Sequence, residues 1–322
     1  MPYISSLQKN IWACYVSPYK DELFTSWYMR LSQSHMVKSH SFGKYYFRNQ
    51  NFWNRDIDNM PAQELKNIIY NNSPLNYEDI ENMFLTSYQY FLFEKHNPLG
   101  ITSGILPLGI QHRKRKNKGL LYCPICLKTK GYYKKQWRLS ISYICCECQI
   151  LLEDSCPNCD SSICFHRLEL GTKTTVLIPA LNICSNCKHD LSQTFTKANN
   201  EEIITQTKID NILKQGYSEK THYSFSYFYL LLNVANLMSR KNDTWGRLRK
   251  ACEIEFGPLP EKHNNFNTWS IHERFPIISA SCKIIDDQDF LRYMISEYNL
   301  RLSEFNRDRK LVYFFENIFK NF

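Results

Sequence analysis

Four Cys-x-x-Cys pairs lie close together in the middle of this 322-residue chain. They read CPIC at 123–126, CCEC at 145–148, CPNC at 156–159 and CSNC at 184–187. One such pair presents two thiolates to a single ion, and zinc prefers four tetrahedral thiolate or imidazole ligands. Because the N-terminus does not resemble a signal peptide, the 13 cysteines are more typical of metal ligands than of disulfides. The spacing therefore predicts two zinc ions per chain.

The simplest assignment of the zinc ligands follows chain order. The first predicted site is Cys123, Cys126, Cys145 and Cys148, and the second is Cys156, Cys159, Cys184 and Cys187. Intervals of 18 and 24 residues between the pairs are typical of zinc ribbons. A cross-braced assignment, first pair with third and second with fourth, is the alternative. Either way both sites are structural, because four protein ligands leave no position for water.

Other potential ligands near these pairs are interpreted as bystanders. Cys146 could replace Cys145, although the Cys-x-x-Cys spacing favours Cys145. The remaining candidates are Cys164, His166 and His189.

A strongly basic stretch overlaps the first two cysteine pairs. No Asp or Glu occurs between Glu94 and Glu147, and the run HRKRKNK at 112–118 directly precedes the first pair. Such a stretch, with Tyr132, Tyr133 and Trp137 interleaved, suits contact with a phosphate backbone. The predicted nucleic-acid-binding residues are Arg113, Lys114, Arg115, Lys116, Lys118, Lys134, Lys135 and Arg138. The alternative is that these charges offset the thiolates of a zinc site or belong to a solvated loop.

Composition limits the class of protein. Hydrophobic residues make up 43% of the chain and charged residues 22%, which is typical of globular domains, and the formal net charge is +9. The sequence contains no run of about 20 apolar residues and no apolar segment at the N-terminus, so we expect a soluble, cytoplasmic protein. It also lacks the GxxxxGK, GxGxxG, GxSxG and HExxH motifs, so we predict no enzymatic activity.

Apolar periodicity on both sides of the cysteine-rich segment predicts helices. In the N-terminal part, Phe24, Trp27, Tyr28 and Leu31 recur at helical spacing after Asp21, a candidate N-cap. The segment 225–238 is apolar nearly all round, which predicts a buried central helix. We therefore expect a mainly α fold with small zinc-ribbon β elements.

The same patterns predict four regions. The N-terminal region is helix-turn-helix-like, with an ordinary small helical bundle as the alternative. The regions are an N-terminal helical domain at 1–95, a basic linker at 96–119, tandem zinc ribbons at 120–190 and a C-terminal helical domain at 191–322.

The cysteine-rich segment resembles the signature of the TniQ/TnsD family of transposon target-selection proteins. The matching residues are Cys123 to Leu127, Tyr132, Tyr133, Trp137, Arg138, Cys145, Leu151, Leu152 and Cys156 to Cys159. The segments DELFTSWYMRLS at 21–32 and WNRDID at 53–58 resemble the opening motifs of the same family. One departure is Cys148, which stands where the family often has His; both residue types ligate zinc. The resemblance covers about residues 15–190.

The resemblance implies a role in transposition without catalysis. The chain is shorter than the TnsD-like members, which favours the TniQ adaptors. Such an adaptor links a CRISPR effector (Cascade-like) complex, bound to its target through guide RNA, to an AAA+ ATPase (TnsC-like) that recruits the transposase. The implied partners therefore include DNA and no membrane, and family adaptors occur as monomers and as a homodimer. The alternative is a sequence-specific DNA-binding target selector that uses no guide RNA, and a nucleic-acid enzyme such as a nuclease is a third hypothesis.

Overall fold

The computed structural model describes residues 10–47, 52–98, 100–169, 180–239, 246–261, 265–305 and 313–320. About half of the chain is helical and the strands are few and short, as the sequence predicts. The helices before the cysteine-rich segment are α1 (Phe24–Ser34), α2 (Ser39–Tyr46), α3 (Gln63–Asn72) and α4 (Tyr77–Glu81). The later helices are α5 (Pro124–Lys130), α6 (Asn200–Gln215), α7 (Ser224–Ser239), α8 (Arg247–Phe256), α9 (Ile271–Asp286), α10 (Gln288–Glu297), α11 (Leu302–Phe305) and α12 (Tyr313–Lys320).

The six strands in the described part of the chain form three separate antiparallel hairpins. They are β1 (Ile110–Gln111) with β2 (Lys114–Arg115), β3 (Ile144–Cys145) with β4 (Ile150–Leu151), and β5 (Tyr217–Ser218) with β6 (His222–Tyr223). Each strand has only two residues, too few to build a sheet face of its own. Short 3₁₀ turns at Leu85–Tyr88, Lys135–Arg138, Phe165–Glu169 and Phe266–Thr268 complete the secondary structure of the described residues.

The chain groups into two compact units, each made of three segments. Unit 1 comprises Met1–Ser87, Leu108–Arg138 and Ser155–Phe195. Unit 2 comprises Tyr88–Pro107, Leu139–Asp154 and Thr196–Phe322. The domain boundaries predicted from the sequence divide the chain differently and stay a prediction.

An aromatic core organises unit 1. Helix α1 contributes Phe24, Trp27 and Tyr28, which are fully buried, so its predicted apolar face is confirmed. The ring of Phe24 stacks on Phe84 at 4.7 Å, and that of Tyr28 stacks on Phe52 at 4.5 Å. Contacts of this kind between distant segments explain why α1 is stable in its place.

The beginning of α1 differs from the sequence-based expectation. Asp21 does not cap this helix; the N-cap residue is Leu23, and no side chain caps it. Asp21 instead accepts a hydrogen bond from the Tyr132 hydroxyl at 2.8 Å. A contact distant in sequence thus takes the place of the local cap.

Helix α7 is the centre of unit 2. It contacts α6, α8 and α9, and most of its side chains are buried, as its apolar sequence predicts. The preceding helix α6 begins with a capping box between Asn199 and Glu202. Its C-cap is Gly216, with a φ of 70°, a left-handed conformation that glycine adopts readily. None of the described helices is both long enough and apolar enough to cross a membrane.

Candidate metal centres and basic surface

The first group of four cysteines is built from one helix start and one hairpin. Cys123 is the N-cap of α5, and its Sγ accepts a hydrogen bond from the Cys126 N–H at 3.4 Å. Cys145 ends β3, and the Cys148 N–H donates to the Cys145 carbonyl at 3.1 Å in the turn towards β4. The four sulfur atoms lie within 4.8 Å of one another. Three of these residues are buried and Cys148 is half-buried, so the group could hold one metal ion.

The second group is formed by two similar loops of unit 1. The Cys156 and Cys187 Sγ atoms are 3.6 Å apart, and those of Cys159 and Cys184 are 3.7 Å apart. Four thiolates around zinc at about 2.3 Å in tetrahedral geometry are separated by about 3.8 Å. These two distances therefore fit a four-coordinate zinc ion, and all four sulfur atoms lie within 4.8 Å of one another.

Hydrogen bonds favour the thiolate form of Cys159 in the second group. The hydroxyl of Ser161 lies 3.0 Å from Cys159 Sγ, and the side-chain amide of Asn186 donates to the same sulfur at 3.5 Å. Desolvation opposes ionisation, but these hydrogen bonds outweigh it and lower the pKa of Cys159 to about 6. Such a thiol is readily ionised at neutral pH, and the thiolate is the form that ligates metal.

The structure brings the eight cysteines together in chain order, first pair with second and third pair with fourth. Cys146 does not take part: its Sγ lies 3.5 Å from an Asp210 carboxylate oxygen, and burial raises the pKa of its thiol to about 11. Cys164 is buried beside the Arg113 carbonyl, 3.8 Å away. Both residues therefore lie outside the two metal-binding groups.

Arg138 is an internal residue, which corrects its assignment to a nucleic-acid interface. Its side chain is 1% exposed and forms an ion pair with Asp56 at 2.6 Å and a longer one with Asp58 at 3.6 Å. Asp58 in turn accepts hydrogen bonds from the Thr25 N–H and hydroxyl at 2.9 and 2.8 Å. A guanidinium that is enclosed in this way cannot reach a phosphate. The burial also raises the pKa of Asp58 to about 6, because desolvation outweighs the attraction of Arg138.

Lys134 and Lys135 also have partners within unit 1. The Lys134 ammonium lies 3.7 Å from an Asp21 carboxylate oxygen, and its side chain is largely buried. Lys135 donates to the Asn82 carbonyl at 2.7 Å and to the Ser87 hydroxyl at 2.6 Å. Burial lowers the pKa of Lys135 to about 8. Both lysines thus hold the segment after α5 against the N-terminal helices.

The run 113–118 divides into exposed and internally bound side chains. Arg113, Lys114 and Lys116 are exposed. Arg115 instead donates to the Ile163 carbonyl at 2.9 Å, and its guanidinium lies over the Phe165 ring at 5.1 Å. Lys118 pairs with Asp160 at 2.5 Å. Three of the five predicted contacts in this run therefore remain accessible to a polyanion.

The turn of the β1–β2 hairpin gives the exposed residues their position. Its two central residues, His112 and Arg113, have φ values of 48° and 63°. Two successive positive φ values are typical of the tight turns that match the twist of a hairpin. The hairpin therefore places Arg113 at its tip, with Lys114 at the start of β2.

Basic residues of α2 were not identified from the sequence. His40 and Lys44 are exposed on this helix, one turn apart, and Lys38 precedes it. The sequence does indicate positive charge here, since the 33 residues between Glu22 and Asp56 contain no Asp or Glu. This signal is weaker than that of the run 112–118, because the basic residues around α2 are not adjacent in the sequence.

Comparison with known proteins identifies one family. Residues 13–152 match the sequence model of the TniQ family. The match begins before α1 and ends just after β4, so it contains the first group of four cysteines and the Arg138 ion pair. A search of the curated proteins finds no match.

Proposed function

Because the chain belongs to the TniQ family, which acts in the selection of transposition targets, we propose that it is a non-catalytic transposition adaptor. It links a target-bound, RNA-guided CRISPR effector (Cascade-like) complex to an AAA+ ATPase (TnsC-like) regulator. The observation that carries the proposal is the family match over residues 13–152, together with two groups of four cysteines arranged for metal. An adaptor raises the effective concentration of one partner near the other and needs no catalytic group.

Zinc has a structural role in this proposal. One ion is bound by Cys123, Cys126, Cys145 and Cys148, and the other by Cys156, Cys159, Cys184 and Cys187. The distances of 3.6 and 3.7 Å between sulfur atoms support zinc in the second group. Each ion would cross-link two loops and leave no position for water or substrate.

In this proposal the protein makes auxiliary contacts with the phosphate backbone of DNA. The exposed side chains of Arg113, Lys114 and Lys116 at the β1–β2 hairpin support it. Arg115 and Lys118 contribute through the packing of the hairpin, and Arg138 takes no part because it is buried. Contacts of this kind position a protein on DNA without reading its sequence.

The N-terminal helices are the proposed ATPase contact, and the C-terminal helices are the proposed effector contact. Met36 and Val37, in the turn between α1 and α2, are 72% and 37% exposed, which supports an apolar contact there. Ile204 on α6 in unit 2 is 67% exposed and serves as a matched comparison. Replacing any of these residues with Ser removes an exposed apolar side chain without changing charge.

The test is a pull-down of the ATPase and of the effector complex, each separately, with the full-length chain. Substitutions suit this test better than truncation, because unit 1 is built from three segments. We expect M36S/V37S to lose ATPase binding and to keep effector binding, and I204S to keep ATPase binding. Full ATPase binding by M36S/V37S would refute the assignment of this turn. Failure of the wild-type chain to bind either partner would refute the adaptor itself.

The alternative is a target selector that reads DNA sequence directly. The exposed basic residues of the β1–β2 hairpin are the observation in its favour. A direct reader must prefer its site over other DNA by about 10³–10⁷-fold, whereas an adaptor needs only backbone contacts. If the free protein strongly prefers one DNA sequence and binds neither the ATPase nor the effector, the adaptor hypothesis is refuted in favour of the direct target selector.

A further inference from the structure

Two elements of unit 1 that are distant in sequence expose basic side chains. Helix α2 exposes His40 and Lys44, which are four residues apart and so share one face of the helix. The β1–β2 hairpin exposes Arg113, Lys114 and Lys116.

The 3₁₀ turn Phe165–Glu169 joins the two elements. At one end of this turn, His166 Nε2 donates to the Arg113 carbonyl at 3.0 Å. At the other end, a Glu169 carboxylate oxygen accepts from the N–H and the hydroxyl of Ser39, both at 2.8 Å, where α2 begins. A 3₁₀ turn rises about 2 Å per residue, so the backbones of His166 and Glu169 are about 6 Å apart along the turn. The hairpin tip and the start of α2 therefore contact the same short turn.

The joining turn is itself held firmly in unit 1. The ring of His166 stacks on Trp53 with a centroid distance of 4.1 Å and an interplanar angle of 4°. The Phe165 ring packs against Tyr133 at 4.8 Å. Because both side chains are anchored in the core, the two basic elements keep a fixed relation to each other.

The charge of the joined elements is almost entirely positive. Glu169 is the one acidic residue in the sequences of three segments: α2, the hairpin segment 110–116 and the 3₁₀ turn Phe165–Glu169. That carboxylate is half-buried and bonded to Ser39, and burial raises its pKa. The basic residues in or next to these elements are Lys38, Lys44, Arg113, Lys114, Arg115, Lys116 and Arg167.

We propose that the exposed face of α2 and the β1–β2 hairpin form one surface that binds the phosphate backbone of duplex DNA, with His40 and Lys44 as phosphate-contacting residues. The inference rests on the proposed function and deepens it, because it adds α2 to a DNA contact otherwise confined to the hairpin. A cationic surface drawn from two elements can follow a backbone over several phosphates, which one hairpin tip cannot. The surface recognises charge and spacing and gives affinity without sequence preference.

His40 makes the DNA affinity of this surface depend on pH. Partial burial, then Arg113 and Lys44, lower the pKa of His40, so its imidazole is neutral near pH 7. Of the groups around it, Lys44 lies on its own helix, Arg113 on the hairpin and Glu169 on the 3₁₀ turn, with Lys38 just before α2. A bound phosphate favours the imidazolium, so DNA binding takes up a proton. Affinity therefore rises as the pH falls through the titration of His40.

The experiment measures duplex DNA binding by fluorescence anisotropy as a function of salt, with the full-length, metal-loaded protein. The variants are H40Q/K44Q on α2 and K114Q/K116Q on the hairpin. The control is K214Q/K250Q, which removes two exposed lysines from helices of unit 2. Unchanged thermal unfolding establishes that each variant is folded.

We expect both unit 1 variants to bind DNA several-fold more weakly. Their plots of log K against log salt should become shallower by about one unit per lost phosphate contact. The control should match the wild type. If H40Q/K44Q behaves like the control while K114Q/K116Q is weakened, the inference about α2 is wrong and the proposed hairpin contact stands. If neither variant differs from the control, both DNA contacts are refuted.

The pH dependence gives a second readout for His40. We expect the wild type to gain more affinity for DNA than H40Q between about pH 7.5 and about pH 5.5. Equal gains in the two proteins would refute a phosphate contact by His40, since backbone contacts by Lys and Arg do not titrate in this range.

Discussion

The buried guanidinium of Arg138 and the half-buried carboxylate of Asp56 form a bidentate ion pair, with N–O distances of 3.0 and 2.6 Å. The pair joins the two sequence motifs WNRDID at 53–58 and Trp137–Arg138, which are separated by about 80 residues. Both motifs contribute to the resemblance to the TniQ family. Their shared role is internal: the ion pair holds the 3₁₀ turn Lys135–Arg138 against the segment after α2 within unit 1.

Loss of Arg138 should destabilise the protein strongly. R138Q leaves the buried carboxylate of Asp58 and the half-buried carboxylate of Asp56 without their cation, which typically costs about 3–5 kcal/mol. Urea unfolding followed by tryptophan fluorescence measures the change. The exposed K128Q serves as control and should remain within about 0.5 kcal/mol of the wild type. A loss below about 1 kcal/mol in R138Q would show that the ion pair does not stabilise the fold.

The unfolding free energy of the protein should depend on pH through the titration of Asp58. Its pKa is raised from 3.8 to about 6 in the folded chain, so the folded state holds this proton more tightly than the unfolded chain does. The associated stability is fully present below about pH 4 and is lost as the pH rises through about 6. D58N cannot ionise and removes this dependence.

The measurement for Asp58 is the difference in unfolding free energy between wild type and D58N. We expect this difference to fall by about 1–3 kcal/mol from about pH 4 to about pH 7. Taking the difference cancels the other carboxylates, which titrate in both proteins. A difference that rises with pH would mean that Arg138 favours the Asp58 carboxylate more than burial disfavours it.

Zinc should be bound at two ions per chain, one in each group of four cysteines. C159S should bind one ion fewer and unfold at a lower temperature, because structural zinc binding is itself folding free energy. C14S removes an exposed cysteine outside both groups and should keep both ions. Elemental analysis of purified protein tests this directly, and a wild-type content of one ion or none would contradict it.

The buried aromatic face of α1 should contribute strongly to the stability of the protein. Phe24 is fully buried and stacks on Phe84, so F24A should cost about 3–5 kcal/mol of stability. Y45A removes a side chain of α2 that is 78% exposed and should have little effect. Similar unfolding midpoints for the two variants would mean that α1 does not organise unit 1.

The sequence alone was sufficient for features that depend on local spacing. Four Cys-x-x-Cys pairs indicated two groups of ligands, and the structure brings the eight sulfur atoms together in those groups. The helical recurrence of Phe24, Trp27 and Tyr28 likewise indicated which face of α1 is buried. Both patterns repeat over a few residues, so they constrain local structure directly.

Only the tertiary structure decided which basic residues are accessible. Arg138 and Lys114 belong to the same acid-free stretch, yet one is enclosed with Asp56 and the other is exposed. Asp21 was a plausible helix cap until its contact with Tyr132, more than a hundred residues away, was known. Charge can be counted along a chain, but burial and pairing depend on segments brought together by folding. For the same reason the proximity of α2 to the β1–β2 hairpin could not be read from the sequence: it depends on contacts through Glu169 and His166.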